Sequence, residues 1–96
     1  MTASEHVLII HQVKDYAAWK LVFDQAAALR KAAGERSYSV LRDAGDANRI
    51  VHYSRWRSIV AARAFFESPA LVEIRQQAGV EAPEFHYLQL IEQGVL

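Results

Sequence analysis

The chain has 96 residues, is 52% hydrophobic, and balances 11 Lys and Arg against 11 Asp and Glu. With no net charge and no run of Lys or Arg, it has no concentrated basic face, which argues against nucleic-acid binding. It has no cysteine, which excludes disulfides, thiolate catalysis and cysteine-based metal sites. No apolar run approaches the ~20 residues of a membrane span. The start Met1-Thr2-Ala3-Ser4-Glu5-His6 lacks the basic and apolar regions of a secretion signal, so the expectation is a cytoplasmic protein. The length fits one domain over residues 1–96.

His6 to Val13 predicts a first strand, apolar on both parities and therefore central. Val7, Ile9, His11 and Val13 share one face; Leu8 and Ile10 share the other. Asp15 can cap a helix from Tyr16 to Ala33, which Gly34 stops. Trp19, Phe23, Ala26 and Arg30 fall on one stripe of that helix at about 100° per residue. Arg36 to Arg42 alternates as a second strand, residues 43–48 have turn composition, and Arg49 to Trp56 is the third strand, completing a hairpin. Ser58 can cap a helix over Ile59 to Glu67 with Ile59, Ala62 and Phe66 inward. Ser68-Pro69 starts another with Leu71, Ile74 and Ala78 inward, ended by Gly79. Pro83 precedes a last strand at Glu84 to Ile91.

The order βαββαβ predicts an α+β, ferredoxin-like fold with a four-stranded antiparallel sheet and helices on one face. Leu8 and Ile10 would leave the other face too apolar for water, so a homodimer closed through that face is expected.

Arg30 is the most informative polar position. A guanidinium on an apolar stripe either snorkels to solvent at the helix end or points into a cleft, where it binds a carboxylate, phenolate or oxyanion. The four histidines, His6, His11, His52 and His86, all fall on strands. Each is a sheet residue or a general base near neutral pH, and none has the helical spacing of a zinc motif, so no metal is expected. Tyr38, Tyr53, Tyr87 and Trp56 supply core, interface or the walls of a flat aromatic site. There is no nucleophile elbow, phosphate-binding glycine loop or dinucleotide fingerprint.

His11-Gln12-Val13-Lys14-Asp15-Tyr16 followed by Trp19, Phe23, Arg30 and Gly34, and Trp56-Arg57-Ser58 followed by Ala62, Phe66, Ser68-Pro69 and Leu71, resemble the dimeric α/β-barrel superfamily. The nearest group is the antibiotic-biosynthesis-monooxygenase-like family. The resemblance implies two ferredoxin-like subunits joined into a barrel, each with a pocket between sheet and helices. It also implies kinship with cofactor-independent oxygenases of phenolic substrates, isomerases and haem-degrading enzymes. Trp56 matches a Trp of the haem-degrading branch. That branch's Asn on the first strand and His on the following helix are absent, which points away from haem. The expected function is a cofactor-free monooxygenase or isomerase acting on a small aromatic or polyketide-like molecule. His11 or His52 would take a proton, Arg30 would hold the anion, and Trp19, Tyr38 and Trp56 would clamp the ring. The alternative is a non-catalytic binding or stress-associated homodimer.

Overall fold

The structure, a computed structural model, describes residues 5–96. Met1 to Ser4, most of the stretch read as lacking a secretion signal, lie outside the described residues. The elements run β1 (Glu5–Val13), α1 (Tyr16–Gln25), α2 (Ala27–Ala33), β2 (Glu35–Asp43), β3 (Asp46–Trp56), α3 (Ile59–Phe66), α4 (Pro69–Gln77) and β4 (Val80–Gln89). The strands form one antiparallel sheet in the order β2-β3-β1-β4, with the two-sided apolar strand β1 in the interior as predicted.

Local chemistry sets the helix starts. The Asp15 carboxylate accepts from the Ala18 N–H at 2.9 Å, and Ser58 Oγ accepts from the Ala61 N–H at 3.0 Å. Each satisfies a backbone donor that the first helical turn leaves without a partner. Ser68 Oγ does the same for Leu71, and Pro69 fits the first turn of α4, where no N–H is needed. The Glu5 carboxylate also accepts from the Ile59 N–H, tying β1 to the start of α3.

The helix-facing parity of β1 is the predicted one: Val7, Ile9, His11 and Val13 are all buried. Val7 and Ile9 pack with Trp56, Ala62 and Phe66 at one end, while Val13 packs with Trp19, Phe23, Ile50 and Ala78 at the other. Burying each large side chain contributes roughly 1.5–3 kcal/mol. On the opposite face, Leu8, Ile10, Val51 and Tyr53 are only half-buried, and Leu41 is 52% exposed.

The expectation fails in the hairpin turn, the first helix and the last strand: β3 starts at Asp46 and not at Arg49, so the turn is only Ala44 and Gly45. The helix predicted over residues 16–33 is interrupted at Ala26. In an unbroken helix the Phe23 carbonyl would accept from the Ala27 N–H; here it accepts from Arg30 Nη1 instead. The last strand starts earlier than predicted, at Val80, and ends at Gln89, so Pro83 lies within it. β4 is an edge strand, where a missing N–H is tolerated, and its pairing with β1 shifts register between Ile10 and Gln12. This bulge lies opposite His11.

Candidate functional site

The helices and the sheet enclose a mostly apolar cleft of about 60 Å³. Trp19 and Phe23 from α1, Phe66 from α3 and Leu71 from α4 form much of its wall. The side chains able to do chemistry there are His11 on β1, His52 on β3, Arg30 on α2 and Arg75 on α4. A larger, open groove of about 540 Å³ lies outside, where Lys31, Arg36 and Arg57 surround the end of α2. Cations at a helix C-terminus complement its dipole without any ligand, so the inner cleft is the stronger candidate.

His11 is buried and leans against Trp19, ring centroids 5.5 Å apart, and its Nδ1 has no hydrogen-bond partner among the described residues. Burial, reinforced by the nearby charges of His52 and Arg75, pushes its pKa from 6.5 down to about 3. It is therefore a neutral imidazole at physiological pH.

Arg30 neither snorkels to solvent nor reaches freely into the cleft. It is 4% exposed, donates from Nε to Glu35 Oε1 at 2.8 Å, and lies 3.6 Å over the Phe23 ring. The other carboxylate oxygen of Glu35 meets His52 Nε2 at 2.8 Å. Burial on its own would raise the Glu35 carboxyl. The hydrogen bonds and charges of His52 and Arg30 outweigh that and hold it below the usual carboxylate value. The result is a buried Arg30–Glu35–His52 chain, with side chains 5%, 6% and 3% exposed. His52 also meets Phe23 edge-on at 4.9 Å and Tyr38 at 6.2 Å.

Arg75 is half-buried and donates from Nη1 to the Phe66 carbonyl at 2.9 Å. Its guanidinium lies 5.1 Å from the Phe85 ring centre, and it has no carboxylate partner among the described residues. Burial lowers its pKa.

Of the residues singled out from the sequence, the structure brings His11, His52, Arg30 and Trp19 to one cleft. Tyr38 is 51% exposed on the edge strand and lines the outer groove. Trp56 does not reach the cleft; it packs in the core against Phe65 and Phe66 and donates from Nε1 to Ser54 Oγ at 2.8 Å. His6 stacks on Tyr53 on the opposite sheet face, and His86 pairs with Glu84 at the surface. Among the described residues, no group of three or more potential ligands is arranged to hold a metal. No helix among them is long and apolar enough to cross a membrane.

Sequence reasoning missed Glu35 and Arg75. Strict alternation along β2 puts Glu35 on the face of Ser37, Ser39 and Leu41. A bulge between Glu35 and Ser37 turns it to the helix side, opposite Trp56. Arg75 lies four residues beyond the inward Leu71 and three before the inward Ala78, so helical periodicity was the available signal for it. A carboxylate directly after the stop Gly34, five positions from an arginine on an apolar stripe, was the available signal for Glu35.

The antibiotic biosynthesis monooxygenase family profile matches residues 4–77. The chain belongs to this family. No functionally curated protein matches it in sequence. Among solved structures it resembles SnoaB from Streptomyces nogalater, a cofactor-independent oxygenase, at TM-score 0.78 and 17% identity, covering 96% of this chain and 97% of that one. It also resembles Rv0793 from Mycobacterium tuberculosis at TM-score 0.68 and 21% identity, covering 96% and 100% of the two chains. The ActVA-Orf6 monooxygenase from Streptomyces coelicolor, solved with nanaomycin D, gives TM-score 0.67 and 17% identity over 98% and 93%. At these identities the structural likeness supports the four-stranded ferredoxin-like fold, and the chemistry has to be argued from this chain's own residues.

Proposed function

We propose that this protein is a cofactor-independent monooxygenase acting on a small, electron-rich aromatic or polyketide-like phenol, working as a homodimer. The observation that carries the reading is Arg75, a half-buried guanidinium on the cleft wall with no carboxylate partner among the described residues, in a cleft that also holds the unpartnered Nδ1 of His11. A desolvated cation without a counterion favours an anionic group, and a phenolate supplies one. Arg30, whose guanidinium is already engaged by Glu35 and the Phe23 carbonyl, acts through Glu35 and leaves the anion to Arg75. His52, the cleft histidine that meets a carboxylate, takes the phenolic proton. His11, held neutral, offers a hydrogen bond, and Trp19 stacks on the ring. The phenolate then reacts directly with dioxygen, giving in overall balance a quinone and water. The same proton step would serve an isomerase. Two structural neighbours support the reading: SnoaB is a cofactor-independent oxygenase, and the ActVA-Orf6 monooxygenase was solved with nanaomycin D. The homodimer rests on the half-buried apolar sheet face of Leu8, Ile10, Val51 and Tyr53.

One observation favours a second reading, a non-catalytic binding dimer. The cleft holds only about 60 Å³, against ~300 Å³ or more for ordinary ligand pockets, so an aromatic ring enters only if wall side chains rotate. A thermal-shift panel of naphthols, quinols and flat aromatic acids, run on wild type and Arg75→Ala, separates the two. A phenol that stabilises wild type but not R75A supports the oxygenase reading, because ligand bound to the native state raises apparent stability. If no member of the panel shifts wild type, the non-catalytic dimer stands.

A further inference from the structure

Among the described residues, Glu35 is the one carboxylate bonded to the charged and basic groups of the cleft, and nothing in the family assignment gives it a role. Its two oxygens have different partners. Oε1 accepts from Arg30 Nε and Oε2 faces His52 Nε2, both at 2.8 Å. Arg30 is itself fixed by the Phe23 carbonyl and the Phe23 ring, and a guanidinium can only donate. An ionised carboxylate can only accept. The nitrogen of His52 that faces it must therefore carry the proton.

We propose that Glu35 is a positioning residue. Anchored by Arg30, it holds His52 in the Nε2–H tautomer and leaves Nδ1 as the nitrogen with a free lone pair. The inference rests on the reading above only in making that lone pair the proton acceptor for a bound phenol; the tautomer itself follows from the hydrogen-bond geometry. Arg30 thus acts two steps away from the ligand, through Glu35 and then His52, which accounts for a buried arginine that is not free to bind an anion.

The geometry makes a specific demand of Glu35→Gln. Arg30 Nε needs an acceptor, so it claims the carboxamide oxygen. The amide NH₂ then faces His52 and can only donate, so Nε2 must become the lone-pair nitrogen and the ring proton moves to Nδ1. The substitution keeps size and shape but inverts the tautomer.

The experiment is ¹⁵N NMR of histidine-labelled protein at mildly alkaline pH, with His52 assigned by its loss in His52→Gln. The expected result is a proton on Nε2 and none on Nδ1 in wild type, and the reverse in E35Q. A proton on wild-type Nδ1, alone or together with Nε2, overturns the proposal, as does an E35Q spectrum with the wild-type tautomer. Should E35Q fail to fold, the wild-type spectrum still decides against the proposal if Nδ1 carries the proton. Arg30→Met, which leaves the carboxylate in place, is expected to keep the Nε2–H form. The tautomer is read without substrate, so its failure is distinct from failure of the oxygenase reading. A confirmed tautomer with no phenol binding refutes only the oxygenase reading.

Discussion

Acidification should weaken this protein through His11 before it does so through Glu35. In the native state burial holds His11 at about 3, while the unfolded chain releases it to its ordinary 6.5. Below 6.5 the unfolded chain therefore binds a proton that the folded chain refuses, and stability falls with pH until the native group also titrates. Between pH 7.5 and 4.5 the linkage for a shift from 6.5 to about 3 integrates to about 2.5 kcal/mol of lost stability. That is a large part of the ~5–15 kcal/mol that holds a domain together. The perturbation is His11→Leu, which fills the space and removes the titration. Nδ1 has no hydrogen-bond partner to lose, so the variant should fold. Urea unfolding of wild type and H11L at several pH values, at one fixed protein concentration, gives the difference curve. Wild type should lose stability relative to H11L as pH falls, with most of the change below pH 6.5. Parallel pH dependences would show that His11 titrates normally in the folded state and that the cleft is wetter than its lining suggests. Glu35 works at lower pH: its depressed carboxyl contributes stability above its unfolded value and loses it as pH falls through the folded one, so its effect appears at the acid end of the curve.

Two further outcomes follow from the buried chain and the open sheet face. Arg30→Met removes the guanidinium that pairs with Glu35, leaving the carboxylate only the His52 N–H, and should cost about 3–5 kcal/mol in urea unfolding, while Arg30→Met combined with Glu35→Leu should recover much of it. A single variant as stable as wild type would mean that Glu35 is solvated. Light scattering should give twice 10.9 kDa for wild type and 10.9 kDa for Leu8→Glu, which puts a charge on the apolar outer face; a wild-type monomer at micromolar concentration would remove the case for the dimer.

Much of the architecture was readable because it depends on periodicity. The parity of β1, the stripe Trp19-Phe23-Ala26-Arg30 and the caps Asp15, Ser58 and Ser68 are local patterns, and each is found in place. The resemblance carried the family for the same reason, since its marks are core and cap residues. Candidate site residues were readable only as far as they obeyed those periods: His11, His52 and Arg30 share inward-facing positions, and they meet in one cleft.

What the sequence could not supply was partnership. Whether Arg30 reached solvent or the cleft turned on a carboxylate that strand alternation assigned to the wrong face. One extra residue at the β2 bulge reverses that assignment. The same tertiary contacts decided which cleft histidine meets a carboxylate and which is stripped of its basicity, and left Trp56 in the core and Arg75 without a carboxylate partner among the described residues. Helical and strand periods are properties of a few consecutive residues, so the sequence alone determined the elements and their buried faces. A charge's partner, its desolvation and the room beside it arise where β1, β3 and the helices come together, and only the folded chain decided them.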